Sequence, residues 1–304
     1  MTKIGAEIVT FNPDVEQLKA NVDNVLKQVE KLLLVDNGSK NVEEVKRIST
    51  EFNIELILLN ENKGIAAALN KGMEFLKASG MTWVVTLDQD SLLPDDAVLN
   101  FKNTKQFEDD DTAILAAQYD DKNWSDIERE KTLAPVNQDP IEKDIVITSG
   151  NMVKLDAWSN VGGFDEWLFI DQVDFDFNAR LRLAGYKIWQ VNAVVMPHEI
   201  GAAMKNGLLA RMLLIKKSIH LMQHSPFREY YMQRNSLVYA KRYPAFRTKK
   251  GPLWFISLAN LRHVLLSDTP WSGLFAGLKG TVDGLRYTPN KDTFMQKFWG
   301  NLSK

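Results

Sequence analysis

Two carboxylates spaced i, i+2 carry the clearest chemical signal in this sequence. Asp88 and Asp90 flank Gln89 and directly follow the apolar run Trp83–Leu87. Such a pair at the end of a buried strand can face a hard divalent cation, since Mg²⁺ and Mn²⁺ prefer oxygen ligands and bridge readily to phosphates. An isolated Asp-x-Asp is weak evidence, because turns are rich in aspartate. The motif gains weight only from the elements that position it.

Short apolar runs alternate with longer amphipathic ones through the first 120 residues. The amphipathic runs predict helices, and the apolar runs predict strands at 4–11, 31–35, 54–59 and 83–87. Strands separated by helical patterns indicate βαβ units and a mainly parallel, Rossmann-like α/β sheet with flanking helices. In such sheets, ligands bind at the carboxyl ends of the strands.

Polar clusters fall at each of these four strand ends. Thr10–Asn12 lies at the end of the first strand, and Asp36–Ser39, Asn60–Gly64 and Asp88–Asp90 follow the second, third and fourth. One such cluster would be ordinary turn chemistry. Four at the same edge of a sheet predict a binding site.

The rest of the chain is predicted in less detail. A strand at 145–147 precedes Ser149, which is expected to line the same cleft, and a helix is expected at 173–183. The acidic stretches 108–111 and 120–130 are expected to be solvated loops. From about residue 204 the pattern becomes helical, with aromatic and basic residues interleaved. We therefore predict a catalytic domain over 1–204 and a helical C-terminal region over 205–304.

Composition indicates an ordinary globular protein, with 45% hydrophobic and 25% charged residues. The absence of cysteine excludes thiolate metal sites and fits a reducing cytoplasm. Neither a signal peptide nor an apolar run long enough to span a membrane is recognisable.

Charge is distributed unevenly. Residues 1–204 carry a net −15, whereas residues 205–304, with 17 Lys and Arg against four Asp and Glu, carry +13. A basic C-terminal region suggests contact with a pyrophosphate or an anionic lipid surface. The same charges would also favour a second explanation, in which the basic region 205–304 packs on the acidic residues 1–204.

The ordered motifs resemble family-2 glycosyltransferases of GT-A fold. The resemblance covers roughly residues 4–200 and includes Leu87-Asp88-Gln89-Asp90-Ser91 and a second signature, Gly162–Asp174. The forms Leu-Asp-Gln-Asp-Ser and Phe-Ile-Asp-x-Val-Asp are similar to the bacterial rhamnosyltransferase branch. The resemblance implies a nucleotide-sugar donor and a divalent metal, Mg²⁺ or Mn²⁺.

Donor-site roles follow from the resemblance. It implies that Thr10 and Asn12 line the nucleotide pocket, that Asp36 contacts the base, and that Asp90 holds the metal. Asp88 would approach the ribose or support the metal. The residues of the loop before the third helix suit ribose or phosphate contact through Asn62 and Lys63, and an ordinary loop would use the same residue types.

An inverting transfer also needs a general base to take the proton of the acceptor hydroxyl. Many relatives place this base at the position occupied here by Gln172, which cannot act as one. Asp171 is the nearest substitute and Asp174 is the second choice. For either carboxylate, stabilisation of a helix N-terminus is the alternative role.

Further residues are expected at the acceptor or the leaving group. Asp165 and Glu166 are expected near sugar hydroxyls, and His198, ending an apolar run, would bind the metal or the pyrophosphate as in similar enzymes. Arg228 and Arg234, six apart among aromatic residues, suit a clamp on the diphosphate or on an anionic acceptor. A solvated helix face with aromatic packing would show the same pattern.

The segment 241–255 mixes cations with aromatic residues. This composition is typical of a helix lying in a membrane interface, and it would serve a dimer contact equally well. No nucleic-acid motif accompanies it, so we expect no nucleic-acid partner.

The sequence thus predicts an inverting glycosyltransferase, with dTDP-L-rhamnose as the favoured donor. A saccharide or lipid-linked saccharide of a cell-surface polysaccharide is the expected acceptor. The alternative donors are UDP-galactofuranose and UDP-hexoses. From other classes, a nucleotidyltransferase would need a glycine-rich basic loop after the first strand, where Thr10-Phe11-Asn12-Pro13 stands. Because Gln172 stands where many relatives carry the base, an inactive nucleotide-sugar-binding module is a further alternative.

Overall fold

The computed structural model describes residues 2–121, 124–198, 224–247, 251–265 and 270–302. The chain folds into two compact units. The first runs to Phe169 and resumes at Val173–His198. The second contains Ile170–Gln172 and the described residues from His224 onward. The predicted domain boundary at residue 204 lies outside the described residues and stays a prediction.

The first unit is built on an eight-stranded mixed sheet of order β3-β2-β1-β4-β7-β5-β8-β6. Its first four strands run parallel and alternate with helices: β1 Ile4–Thr10, α1 Val15–Leu26, β2 Lys31–Asp36, α2 Val42–Glu51, β3 Glu55–Leu58, α3 Ile65–Ala78 and β4 Trp83–Asp88. Strands β1, β2 and β4 are buried along almost their whole length, as is typical of parallel strands covered on both faces. The predicted Rossmann-like architecture is confirmed.

The remainder of the sheet adds antiparallel pairings on both sides of β7. The elements are α4 Ala97–Lys102, β5 Thr112–Asp121, α5 Asp126–Thr132, β6 Ile141–Glu142, β7 Asn151–Lys154, α6 Leu155–Asn160, α7 Val173–Leu183 and β8 Lys187–His198. Strand β5 pairs with β8 in parallel. The helix predicted at 173–183 is confirmed.

Two expectations for this half are wrong. No strand forms at 145–147, because the Val146 carbonyl accepts from the side-chain amide of Asn178 (2.6 Å) instead of pairing with a neighbouring strand. Ser149 therefore precedes strand β7 and does not follow a strand. The stretch 120–130 is also more than a loop, because β5 runs to Asp121 and a capping box of Ser125 and Glu128 starts helix α5.

One carboxyl group lies in the core of this unit. Glu7 on β1 is fully buried, and neither of its carboxyl oxygens has a hydrogen-bond partner among the described residues. Gly72 on α3 makes the space, since a Cβ there would lie 1.6 Å from Glu7 Oε2. Burial raises the pKa of Glu7 well above its ordinary value. Burial therefore disfavours the charged form of this carboxyl and costs stability.

We expect Glu7→Met to raise the free energy of unfolding at pH 7 by about 1–3 kcal/mol, because it removes a buried polar group that lacks a partner. The gain should grow with pH. Above the ordinary glutamate pKa, the unfolded chain has released the proton that the folded protein still retains, so the wild type loses stability as pH rises towards the folded pKa. Urea unfolding at pH 5 and pH 8 measures this.

Glu7→Gln is the matched control, since it keeps the shape and removes the titration. Its stability relative to wild type should likewise increase from pH 5 to pH 8. A difference from wild type that does not change with pH, or a Met variant less stable at both pH values, would contradict this account of Glu7.

The described part of the second unit is helical, as predicted. Its helices are α8 Pro226–Arg242, α9 Leu253–Val264, α10 Pro270–Arg286 and α11 Thr293–Leu302. Glycines on one face of α10 allow close approach to α8: a Cβ at Gly280 would lie 2.2 Å from the Tyr230 carbonyl oxygen, and one at Gly284 would lie 2.8 Å from Leu237 Cβ. Both positions therefore require glycine.

Candidate functional site

Strand register brings the polar strand ends together at one edge of the sheet. Thr10 pairs with Asp36, and Val9 pairs with Asp88 on the other side. The following loops are tied to each other: the Phe11 amide donates to Gln89 Oε1 (2.8 Å), and the Asn12 amide donates to Ser39 Oγ (2.9 Å). The shared edge predicted from the sequence is therefore present.

Asp36 organises the second strand end from a buried position. Its carboxylate accepts from the Thr10 hydroxyl (3.1 Å) and from the amides of Gly38 (3.1 Å) and Ser39 (3.0 Å). A further hydrogen bond connects the loops after β1 and β2, because Asn12 Oδ1 accepts from the Lys40 amide (2.7 Å). These bonds hold the loop after β2 in a fixed shape beside β1.

The loop after β3 is fixed to its neighbour by paired amides. Asn37 Nδ2 donates to Asn62 Oδ1 (3.1 Å), and Asn37 Oδ1 accepts from the Lys63 amide (2.9 Å). Gly64 adopts φ +87°, and a Cβ there would lie 2.5 Å from the Phe169 carbonyl oxygen. The Lys63 side chain is half exposed and 3.7 Å from Glu61. The positively charged Lys63 side chain therefore lies at this edge, on a loop held by hydrogen bonds to its neighbour.

The Asp88-Gln89-Asp90 turn exposes both carboxylate residues while its backbone is fixed. The Asp88 amide donates to Ser149 Oγ (3.0 Å), and the carbonyls of Asp88 and Asp90 accept from the side chains of Asn21 (3.1 Å) and Gln17 (3.2 Å). Helix α1 therefore anchors the turn from one side and the loop before β7 from the other.

The donor set of this turn suits a hard cation. Its two exposed carboxylates offer oxygen ligands. Among the described residues, no three or more His, Cys, Asp or Glu side chains come together, so these residues alone do not supply a complete set of ligands there. Mg²⁺ and Mn²⁺ are often held by one or two carboxylates together with the phosphates of a substrate and water. His198 ends β8 with its backbone paired to Asp121, and its side chain lies outside the described residues.

Tyr119 links this turn to the second signature. Its hydroxyl donates to the Ser149 carbonyl, and the Ser149 hydroxyl donates to Ser91 Oγ (2.8 Å). Burial, helped by the carboxylates of Asp88 and Asp174, raises the pKa of Tyr119. Both acidic groups therefore lie within electrostatic reach of one buried phenol. Tyr119 was not predicted, because nothing in the sequence distinguishes it from a core aromatic residue.

Asn70 on α3 holds the start of the second signature. Its Oδ1 accepts from the Phe164 amide (2.8 Å), and its Nδ2 donates to the Phe164 carbonyl (2.9 Å) and to Glu166 Oε1 (3.0 Å). Asp165 is buried and caps the following turn by accepting from the Trp167 amide (3.1 Å). Glu166 stays exposed beside Trp167. An amide among the apolar residues of α3 was the available signal for Asn70.

Helix α7 carries two acidic residues with different environments. Asp174, in its first turn, is half exposed. Asp176 is buried and pairs with the fully buried Arg180 (2.9 Å), whose guanidinium also donates to the Val161 carbonyl (2.6 Å). The i, i+4 spacing of Asp176 and Arg180 was visible in the sequence. This pair fixes α7 to the loop that precedes it.

Asp171 packs in the second unit against helix α8. Arg228 donates to its carboxylate at 3.0, 3.2 and 3.3 Å. Burial and the Asp171 carboxylate raise the pKa of the neighbouring Glu229 to about 7, against the opposing effect of Arg228. Arg234 donates to Asn235 Oδ1 (2.8 Å) and lies over the Tyr231 ring (4.7 Å). Both predicted clamp arginines thus have partners within this unit.

Comparison with known proteins defines the class. Among solved structures, the chain is similar to the crystal structure of GalNAc-T7 with UDP, GalNAc and Mn²⁺, with a TM-score of 0.53 at 12% identity. The match covers 86% of this chain, which spans only 54% of the matched chain. With the mixed sheet described above, this match identifies the GT-A fold.

A family model described as "Glycosyl transferase family 2" matches residues 8–169, more than half of the chain. The chain therefore belongs to glycosyl transferase family 2. It is also 29% identical over 252 residues to the dTDP-rhamnosyl transferase RfbF of Shigella flexneri, covering 79% of this chain and 81% of that protein. The family and the likeness to a rhamnosyltransferase, both expected from the motifs, are confirmed.

Proposed function

We propose that this protein is an inverting, metal-dependent glycosyltransferase that moves L-rhamnose from dTDP-L-rhamnose to a saccharide. The observation that carries the proposal is the edge at which four strand ends are hydrogen-bonded to each other, the fourth of them exposing Asp88 and Asp90. The likeness to RfbF, described as a dTDP-rhamnosyl transferase, supports the choice of donor.

Donor binding is assigned to the first unit. Thr10 and Asn12 line the nucleotide pocket, and Asp36 contacts the base or holds the loop that does so. Lys63 and Asn62 stand on the loop after β3, where a cation suits the ribose or phosphate groups. Asp90, supported by Asp88, holds Mg²⁺ or Mn²⁺, with His198 as a further ligand. When bound, the ion neutralises the charge of the departing diphosphate.

Proton removal is assigned to Asp171. Its carboxylate takes the proton from the acceptor hydroxyl as that oxygen attacks the anomeric carbon and the bond to the diphosphate breaks. This single displacement inverts the anomeric configuration. Asp174 is the second choice as base. Exposed Glu166 is assigned to sugar hydroxyls and Arg228 to the acceptor or the diphosphate. The buried residues Asp165, Ser149 and Arg234 are assigned to the same acceptor and diphosphate region as supports of its backbone and side chains.

A donor panel tests the proposal. Transfer and hydrolysis are measured with dTDP-L-rhamnose, UDP-galactofuranose and UDP-hexoses, each with Mg²⁺ or Mn²⁺ and with chelator. We expect metal-dependent turnover of dTDP-L-rhamnose. A preference for UDP-galactofuranose or a UDP-hexose would contradict the proposed donor but not the assignment as a glycosyltransferase. Nucleotide binding with no turnover of any donor would favour an inactive binding module.

We further propose that the C-terminal unit binds a membrane surface, where a lipid-linked acceptor would be met, on the cytoplasmic side. Helix α10 exposes an apolar stripe opposite its glycines, including Trp271 (78% exposed) and Phe275 (80%). Trp254 and Phe255 on α9 are exposed as well. The net +13 of residues 205–304 suits anionic lipid. None of the described helices is long and apolar enough to cross a membrane.

We expect the double variant Trp271→Ser/Phe275→Ser to lose most of its sedimentation with phosphatidylglycerol-containing vesicles, because the inserted aromatic area is removed. Leu99→Ser, on an exposed apolar residue of the first unit, is the control and should bind as wild type. Neutral phosphatidylcholine vesicles should bind all three proteins weakly. If the double variant binds vesicles unchanged but dissociates a dimer, the stripe is a homodimer contact instead.

A further inference from the structure

The backbone around Asp171 is held in an unfavourable conformation. Phe169, Asp171 and Gln172 adopt φ values of +66°, +61° and +63°. Non-glycine residues avoid this region because Cβ approaches the carbonyl oxygen, and the cost is least for asparagine and aspartate. Three such residues within four positions therefore require outside contacts to hold the loop.

Asn235 supplies such a contact. This residue of α8 is fully buried, and its Nδ2 donates to the carbonyls of both Ile170 (2.7 Å) and Asp171 (2.9 Å). Its Oδ1 accepts from Arg234 Nε (2.8 Å), which fixes which end of the amide faces the loop. Both hydrogens of the amide group are thus directed at the two peptides that bracket the Asp171 side chain.

Arg228 acts on the same residue from about two turns earlier along α8. It binds the Asp171 carboxylate through two nitrogens, and the Asp171 side chain is 15% exposed. One helix therefore holds both the peptide and the carboxylate of this residue. A helix is a rigid support, so the direction of the carboxylate is set by α8.

We propose that Asn235 is a positioning residue for glycosyl transfer, acting through Asp171. By fixing the carbonyls on both sides of the Asp171 side chain, it holds the left-handed turn and thereby aims the carboxylate at the acceptor hydroxyl. Arg234 orients the Asn235 amide. This inference rests on the proposed role of Asp171 as general base, and it assigns no donor contact to Asn235.

Asn235→Leu tests this, because leucine keeps the branching of the side chain and removes both N–H groups that bind the loop. We expect kcat to fall by about 10²-fold, as a small misplacement of a reacting group can cost that much. The KM for the donor and the affinity for dTDP should stay within about twofold. Asn235→Gln, which keeps both N–H groups on a longer side chain, should recover part of kcat. A merely structural defect would not separate kcat from donor KM in this way.

Gln233→Leu is the matched control. Gln233 is an equally buried amide on α8, but it contacts Ser257 of α9 (3.4 Å) and not the loop. Its kcat should remain near wild type, and thermal unfolding of all variants gives their stability. If Gln233→Leu loses as much kcat as Asn235→Leu, the effect belongs to α8 in general and the proposal is overturned.

A double-mutant cycle separates this inference from the proposed function. In the Asp171→Asn background, Asn235→Leu should lower the residual rate little further, since both changes disable one unit. An undiminished 10²-fold loss in that background would overturn the positioning role while leaving Asp171 as the base. Full activity of Asp171→Asn alone would overturn the base assignment, and the positioning role would fall with it.

Discussion

Asp171→Asn is expected to lower kcat for transfer by about 10²–10⁴-fold, the usual contribution of a general base. Asparagine keeps the shape of the side chain and can still meet Arg228, but it cannot accept a proton at the pH of the assay. Because Asp171 is not assigned to the donor, affinity for the nucleotide sugar should stay nearly unchanged. Single-turnover transfer and dTDP binding measure the two quantities separately.

Asp174→Asn is the comparison that decides between the two carboxylates. Asp174 is half exposed in the first turn of α7, and its electrostatic effect reaches Tyr119. We expect this variant to keep most of its kcat. If Asp174→Asn loses activity to the extent predicted for Asp171→Asn, and Asp171→Asn does not, the base is Asp174 and the reasoning from Gln172 is wrong.

The second large effect is expected at the proposed metal site. Asp90→Asn should abolish the increase in nucleotide affinity caused by Mg²⁺ or Mn²⁺ and should lower kcat/KM by about 10²–10³-fold, because the charge on the departing diphosphate is no longer neutralised. Titration calorimetry with dTDP, with and without metal, measures the first effect. Donor turnover measures the second.

Asp95→Asn controls for loss of a nearby surface charge. Asp95 is exposed and accepts from Asn24 Nδ2 (2.6 Å), outside the Asp88–Asp90 turn. This variant should retain metal-dependent binding. The loss of metal-dependent binding in Asp88→Asn should be intermediate between those of Asp90→Asn and Asp95→Asn, because Asp88 is assigned to support the metal. Nucleotide binding that chelator does not change in wild type would contradict the metal assignment altogether.

The site was predictable where it depended on the end of a strand. Parallel strands separated by helices must place their carboxyl ends at one edge, so the grouping of Thr10, Asp36 and Asp88 followed from the order of the elements. Local chemistry also sufficed for helix α7, whose bounds were predicted correctly. The strand at 145–147 failed because a short apolar run carries no information about its partner.

Contacts between distant residues could not be predicted in this way. Asn70 meets Phe164 and Glu166 more than ninety positions away. Asn235 meets Ile170 and Asp171 from more than sixty positions away. In the sequence Asn235 resembles any polar residue on a helix, and the apolar neighbours of Asn70 indicate burial but not its partner. A side-chain amide acquires a role only when packing places a peptide within hydrogen-bonding distance.

The sequence by itself determined the four parallel strands, the edge at which their polar ends meet and the Asp-x-Asp turn, since these follow from the periodicity of apolar residues and from the residues at strand ends. Only the tertiary structure decided that Asp36 holds its own loop, that Glu7 is buried without a partner among the described residues, and that Arg228 binds the carboxylate of Asp171. The physical reason is that periodicity is a property of neighbouring residues, whereas hydrogen-bond partners and burial depend on which distant segments pack together.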